Sequence, residues 1–271
     1  MIDYHLHSHF SGDSVEDIEA YIERAQELGI QSIAITDHLD PFPDKTRDLF
    51  LFNKEDYFKE LEEIRSRHPN FDLRIGAELG MIPSLVEENR KEMAKYPFEF
   101  IIGSVHSVDY QDIGSGAFFP GRSLEEAYRL YYEAMLDCVR LYDFFHVLGH
   151  IDYMDRYVSY ISKDTKPLDD TRFKDLITAI LKEIIRTDRG IEYNTGGYRK
   201  GLGHGHPKAW ILEKYYDLGG RILTLGSDAH LVKDLGSNFD QALEEIKKAG
   251  FKEIFSYKDG NFKGESILWK N

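Results

Sequence analysis

Two histidines one residue apart, His5-Leu6-His7, stand among residues whose types suit the holding of divalent cations. Side chains alternate along a β-strand, so these imidazoles share a face and can reach one ion. Asp228-Ala229-His230 follows Gly226-Ser227, where a turn lets its carboxylate and imidazole face different ions. Glu78 follows Gly76-Ala77 and has two oxygens with which to bridge a pair of metals. His38, His106 and His150 add imidazoles, and Asp37 adds a carboxylate. Neutral imidazole with carboxylate suits zinc, manganese or iron. Each pattern alone has a plain structural reading: an incidental His-x-His, or a helix cap for Glu78. Their joint occurrence is hard to explain as core chemistry, because buried charges need partners.

The elements that must position these groups are short apolar stretches followed by amphipathic helices. Strands are predicted over 2–7, 32–37, 73–78, 98–106, 144–150, 190–194 and 221–228, with a further stretch at 253–257. All the histidines and carboxylates named above fall at the C-terminal ends of these strands. Ser14-x-x-Asp17 reads as a capping box for a helix with Ile18, Ile22, Ala25 and Leu28 on one face and Gly29 as its stop. Ser123-x-x-Glu126 opens another, whose stripe of Leu124, Ala127, Tyr131, Ala134, Cys138 and Leu141 makes Cys138 a core residue. Pro207 suits the first turn of a helix ending before Gly219-Gly220, and a last helix is expected over 238–249. Alternating strand–helix units predict parallel strands with helical crossovers. A doubly wound open sheet would spread the strand ends along a line. A barrel brings them to one mouth, and the many candidate ligands favour it.

With 271 residues and 42% hydrophobic content, a single domain over 1–271 is expected. The net charge of −14 disfavours a nucleic-acid partner, which would want a basic face. Apolar runs are too short for a transmembrane helix, and the acidic start Met1-Ile2-Asp3 lacks the regions of a signal peptide. One cysteine excludes an internal disulfide and fits a cytoplasmic location. No signal for an oligomeric state is present.

In order along the chain, His5-Leu6-His7-Ser8-His9, Thr36-Asp37-His38, Gly76-Ala77-Glu78, Gly103-Ser104-Val105-His106, Gly149-His150-Ile151-Asp152 and Ser227-Asp228-Ala229-His230 resemble the motifs of the PHP (polymerase and histidinol phosphatase) superfamily. The chain length and the lack of a polymerase domain resemble its stand-alone histidinol-phosphate phosphatase branch. The resemblance implies an α/β fold, a distorted, TIM-like (β/α)₇ barrel with a trinuclear metal site. One divalent ion would take His5, His7, Glu78 and Asp228, and a second Glu78, His106 and His150. The third would take Asp13, His38 and His230. The position of Asp13 is often histidine in relatives, so the third site differs in charge here; as a plain alternative, Asp13 is a turn residue.

Such a site is positive by about +3 and would attract the dianion of a small phosphate monoester, with metal-activated hydroxide as nucleophile. Arg156 and Arg199, in loops after predicted strands, suit the phosphate oxygens because a guanidinium bonds two at once; Lys200 is a lesser candidate. His9 is read as supporting a ligand from behind or facing substrate, and Asp37 as a support for a ligating histidine. His204 and His206, in a glycine-rich loop, could protonate the leaving alcohol or orient substrate. Phe118 and Phe119 could line the pocket. His68 and His146 read as structural. The alternatives are another phosphoesterase acting on nucleotide or sugar phosphates, an amidohydrolase, or a non-catalytic metal-binding protein.

Overall fold

The computed structural model describes residues 1–40 and 51–266. In chain order its first elements are β1 (Ile2–Leu6), α1 (Ile18–Leu28), β2 (Ser32–Ile35), the short β3 (His38–Leu39), α2 (Lys54–Arg67), β4 (Asp72–Gly80) and α3 (Val86–Met93). There follow β5 (Phe100–Ser104), a small hairpin of β6 (Ser107–Val108) and β7 (Gln111–Asp112), α4 (Leu124–Leu141), β8 (Val147–Leu148) and α5 (Lys174–Arg186). The chain continues through β9 (Gly190–Asn194), α6 (Gly196–Arg199), α7 (Ala209–Asp217), β10 (Leu223–Gly226), α8 (Phe239–Lys248), β11 (Glu253–Lys258) and β12 (Asn261–Ser266).

Parallel strands pair in the order β1-β2-β4-β5-β8-β9-β10, with β3 alongside β4. Closure is made by a parallel bridge between Leu6 and Ala229, with His7 N donating to Ala229 O at 2.9 Å and Asp228 N to His5 O at 2.8 Å. That bridge makes the sheet a distorted (β/α)₇ barrel and not a doubly wound sheet. The pairing of β1 with β2 slips between Asp3 and Leu6. This irregularity lets two successive residues reach across the barrel, Tyr4 onto the Phe100 ring at 5.0 Å and His5 toward Glu78 at 3.2 Å.

Several predicted strands are longer than the ladders that form: 98–106 shortens to Phe100–Ser104, and 144–150 to Val147–Leu148. At their C-terminal ends the polar residues His106 and His150 lie beyond the ladder, at the mouth. The last predicted strand, β11, forms an antiparallel hairpin with β12 and lies off the barrel path.

Helix starts show where local signals compete. Ser123 caps α4 as expected, accepting from Glu126 N at 3.2 Å. The capping box at Ser14 does not form. Asp17 caps α1 instead, accepting from Glu19 N, while Ser14 Oγ donates to the carbonyls of His7 and His230. Those carbonyls lie at the mouth, so Ser14 serves the ligand loops. Leu28 and Leu141, expected on apolar stripes, are exposed at their helix ends, whereas Cys138 is fully buried. Pro207 precedes the α7 cap residue Lys208 and does not enter the first turn. Among the described residues, no helix is long and apolar enough to cross a membrane.

Candidate metal centre

The strand ends converge on Glu78, which is wholly buried at the end of β4. One of its oxygens lies 3.2 Å from His5 Nε2, 3.6 Å from His7 Nε2 and 3.0 Å from His38 Nδ1. The other lies 2.8 Å from His150 Nε2 and 3.1 Å from His106 Nε2, and accepts from Ser104 Oγ. Asp228 Oδ1 stands 3.6 Å from His5 Nε2 and 3.4 Å from His7 Nε2. Asp228 has φ of 55°, a left-handed conformation that aspartate tolerates. The turn sends His230 to the neighbouring side, where its Nε2 lies 3.1 Å from Asp13 Oδ2; His38 Nε2 is 3.5 Å from the same oxygen.

The tautomers of His5 and His7 follow from their outer partners. His5 Nδ1 meets Glu192 Oε1 at 2.5 Å. His7 Nδ1 meets Ser11 Oγ at 3.2 Å, and that hydroxyl spends its own proton on Asp37 Oδ1 at 2.7 Å. Both Nδ1 atoms therefore donate outward, and both Nε2 atoms face Glu78 and Asp228. Neither Nε2 has a hydrogen-bond partner, although both are buried. Burial would raise Glu78, but His5, His106 and His38 outweigh it and hold its carboxyl well below the usual range. Asp228 is likewise held well below, against its burial, by Arg156 and His5. Ionised carboxylates facing buried imidazole nitrogens form a place that a divalent cation can fill. Triads His5–His7–Glu78, Glu78–His106–His150, His5–His150–Asp228 and His7–His38–His230 each have donor atoms within 4.8 Å of one another, a spacing able to hold a metal. Against their burial, the neighbouring carboxylates raise His5, His38 and His106 well above the usual imidazole value, so metal entry must expel protons.

Two carboxylates that contact candidate ligand histidines escaped the sequence reading. Asp40 reaches His106 Nδ1 at 2.9 Å, and Glu192 fixes His5. Gly80 makes room for the first, since a Cβ there would fall 1.7 Å from Asp40 Oδ1. The available signals were a His38-Leu39-Asp40 spacing and a lone glutamate inside the apolar stretch 190–194. Asp40→Asn and Glu192→Gln should each weaken metal affinity by about 10–100-fold, read by competition with a chromogenic chelator. Unchanged affinity in both variants would remove these carboxylates from the site.

A cavity of about 460 Å³ opens above the cluster, its wall including Tyr153, Arg156, Arg199 and Lys200. Arg156 Nη1 donates to Asp228 Oδ2 at 2.7 Å and Nη2 to Asn194 Oδ1 at 3.0 Å. Arg199 Nη2 is held by the carbonyls of Ser227 and Asp228, while its Nη1 has no partner. Other candidates lie elsewhere. His9 is exposed, facing Glu60 at 3.5 Å, because the turn after His7 carries it outward. Asp37 holds the Ser8–Ser11 turn and acts on His7 only through Ser11. His204 sits apart from the cavity wall, 3.6 Å from Asp155. His206 is buried behind Arg156. Phe118 and Phe119 are buried and not part of that wall; Arg122 covers Phe118. His68 pairs with Glu19, and His146 Nδ1 accepts from Ile101 N, both structural contacts.

A closed parallel barrel with a histidine–carboxylate cluster at the C-terminal mouth defines a metal-dependent hydrolase class. The PHP domain matches residues 3–196, and the chain belongs to that family. It is 32% identical to a probable histidinol-phosphatase of Clostridium acetobutylicum over 95% of this chain and 97% of that one. It is 31% identical to the histidinol-phosphatase of Lactococcus lactis over 94% of each. A crystal structure of the histidinol phosphate phosphatase of Lactococcus lactis, complexed with zinc, L-histidinol and phosphate, superposes with a TM-score of 0.87 at 30% identity, covering 97% of this chain and 98% of that one.

Proposed function

We propose that this chain is a metal-dependent phosphoric monoester hydrolase that converts L-histidinol phosphate to L-histidinol and phosphate, a step of histidine biosynthesis. The observation that carries the reading is one cavity whose lining joins four histidines and the carboxylates of Asp13, Glu78 and Asp228 to Arg156, Arg199 and Lys200. Similarity to histidinol-phosphatases over nearly the whole chain supports the substrate, and supports one domain over 1–271. In this reading one ion takes His5, His7, Glu78 and Asp228, a second Glu78, His106 and His150, and a third Asp13, His38 and His230. When bound, divalent ions such as zinc or manganese supply water with a pKa near about 7 and neutralise the charge on phosphate oxygens.

The chain's own groups do the rest. Glu192, Ser11 and Asp40 fix the tautomers of His5, His7 and His106, so that their other nitrogens face inward. Arg156 and Arg199 present N–H groups to the phosphate oxygens at the cavity wall. Asp228 serves both sides, with Oδ1 toward His5 and His7 and Oδ2 on Arg156, which ties the phosphate-binding arginine to the metal floor. The chain's net charge of −14 supports a small-molecule substrate over nucleic acid, and the single buried cysteine supports a cytoplasmic location.

The test is phosphate release from histidinol phosphate, nucleotide monophosphates and sugar phosphates with manganese or zinc added. Histidinol phosphate should give the highest kcat/KM. Faster turnover of a nucleotide or sugar phosphate would reject the substrate, and no release from any ester would reject the phosphatase.

A further inference from the structure

Behind Arg156 lies a buried chain of polar groups. His206 is fully buried, and its Nδ1 lies 2.6 Å from Asp152 Oδ1. Its Nε2 lies 3.1 Å from Arg156 Nε. A guanidinium can only donate, so His206 Nε2 must carry the lone pair and Nδ1 the proton. The ring is therefore neutral, with its tautomer set by Asp152. Burial agrees: it pushes His206 down to about 4 despite Asp152. Asp152 is itself pinned, since its Oδ2 accepts from Lys208 N at 2.8 Å. The backbone of His206 is held too, exchanging hydrogen bonds with Asn194 at 2.6 and 2.7 Å.

Glycines let the backbone pack closely against Arg156 and His206. A Cβ at Gly196 would lie 2.7 Å from Arg156 Nη2, and one at Gly197 would lie 3.0 Å from His206 Nε2. Each guanidinium nitrogen makes one fixed contact: Nε on His206, Nη1 on Asp228, Nη2 on Asn194. The remaining N–H groups are left for a ligand in the cavity.

We propose that His206 is a positioning residue, a neutral acceptor locked by Asp152 that sets the guanidinium of Arg156 for phosphate. The inference rests on the phosphate-binding role given to Arg156 above. It excludes His206 as proton donor to the leaving alcohol, because its only free nitrogen is taken by Arg156.

Three variants of the full chain, loaded with manganese, test this. His206→Asn keeps a donor near Asp152 but loses the acceptor for Arg156. His206→Gln returns an oxygen at the Nε2 position. In Asp152→Asn, Lys208 N–H needs the amide oxygen, so the amide NH₂ faces His206 Nδ1 and forces the other tautomer. His206→Asn and Asp152→Asn should each weaken inorganic phosphate binding, measured by calorimetry, by about tenfold or more. Their kcat/KM should fall by a similar factor on histidinol phosphate and on p-nitrophenyl phosphate, whose leaving group needs no proton. His206→Gln should stay within about threefold of the parent in both readouts. A loss confined to histidinol phosphate, with p-nitrophenyl phosphate spared, would mark a proton donor and overturn the proposal. So would unchanged phosphate affinity in His206→Asn. Metal content and thermal midpoint, taken for each variant, separate these results from unfolding. If the parent protein binds phosphate but releases none from histidinol phosphate, the proposed function falls, while the phosphate affinities still decide the role of His206.

Discussion

Glu78→Gln is expected to lower phosphate release by about 1000-fold or more and to strip most of the bound metal from the purified protein. Glu78 lies within 3.6 Å of five imidazoles and is the group on which two proposed ion sites meet. Glutamine keeps the shape and the fold but presents an NH₂ where lone pairs must converge, and removes the charge that offsets the cations. Elemental analysis with a phosphate-release assay reads both effects. A Glu78→Gln protein with full metal content and normal turnover would dismiss the bridging role and revive a non-catalytic reading of the cluster.

Exhaustive chelation is expected to abolish turnover and to lower the thermal midpoint by about 10 °C, with manganese or zinc restoring both. The donors are brought together only by the folded barrel, so ions bind the native chain in preference to the unfolded one. A cation present at about 1000 times its dissociation constant contributes about 4 kcal/mol of stability. For a chain of this size, each kcal/mol moves the midpoint by about 2–4 °C. Without ions, Glu78 and Asp228 stay ionised and buried beside His5 Nε2 and His7 Nε2, which have no hydrogen-bond partner, a costly arrangement. Scanning calorimetry of the chelated and reloaded protein checks the shift. An ion-free protein that melts and turns over as before would end the metal reading.

The sequence by itself determined which chemistry was possible. The identity of the donors, their period-two spacing in His5-Leu6-His7 and their place after apolar stretches are properties of the local chain. So are the strand at Gly190–Asn194 and the Ser123 cap of α4, where no distant group competes. The tertiary structure decided which donors meet. Barrel closure through Leu6 and Ala229 set His5 beside Asp228, and the pairing of β3 with β4 set His38 beside Glu78. It drew in Asp40 and Glu192, the latter 187 residues from the histidine it orients, and carried His9 outward. It also diverted Ser14 from a helix cap to the ligand loops. Spacing along the chain encodes only which way neighbouring side chains point. The distances between strands, and so the company each polar group keeps, are fixed by register and closure, which no short stretch of residues contains.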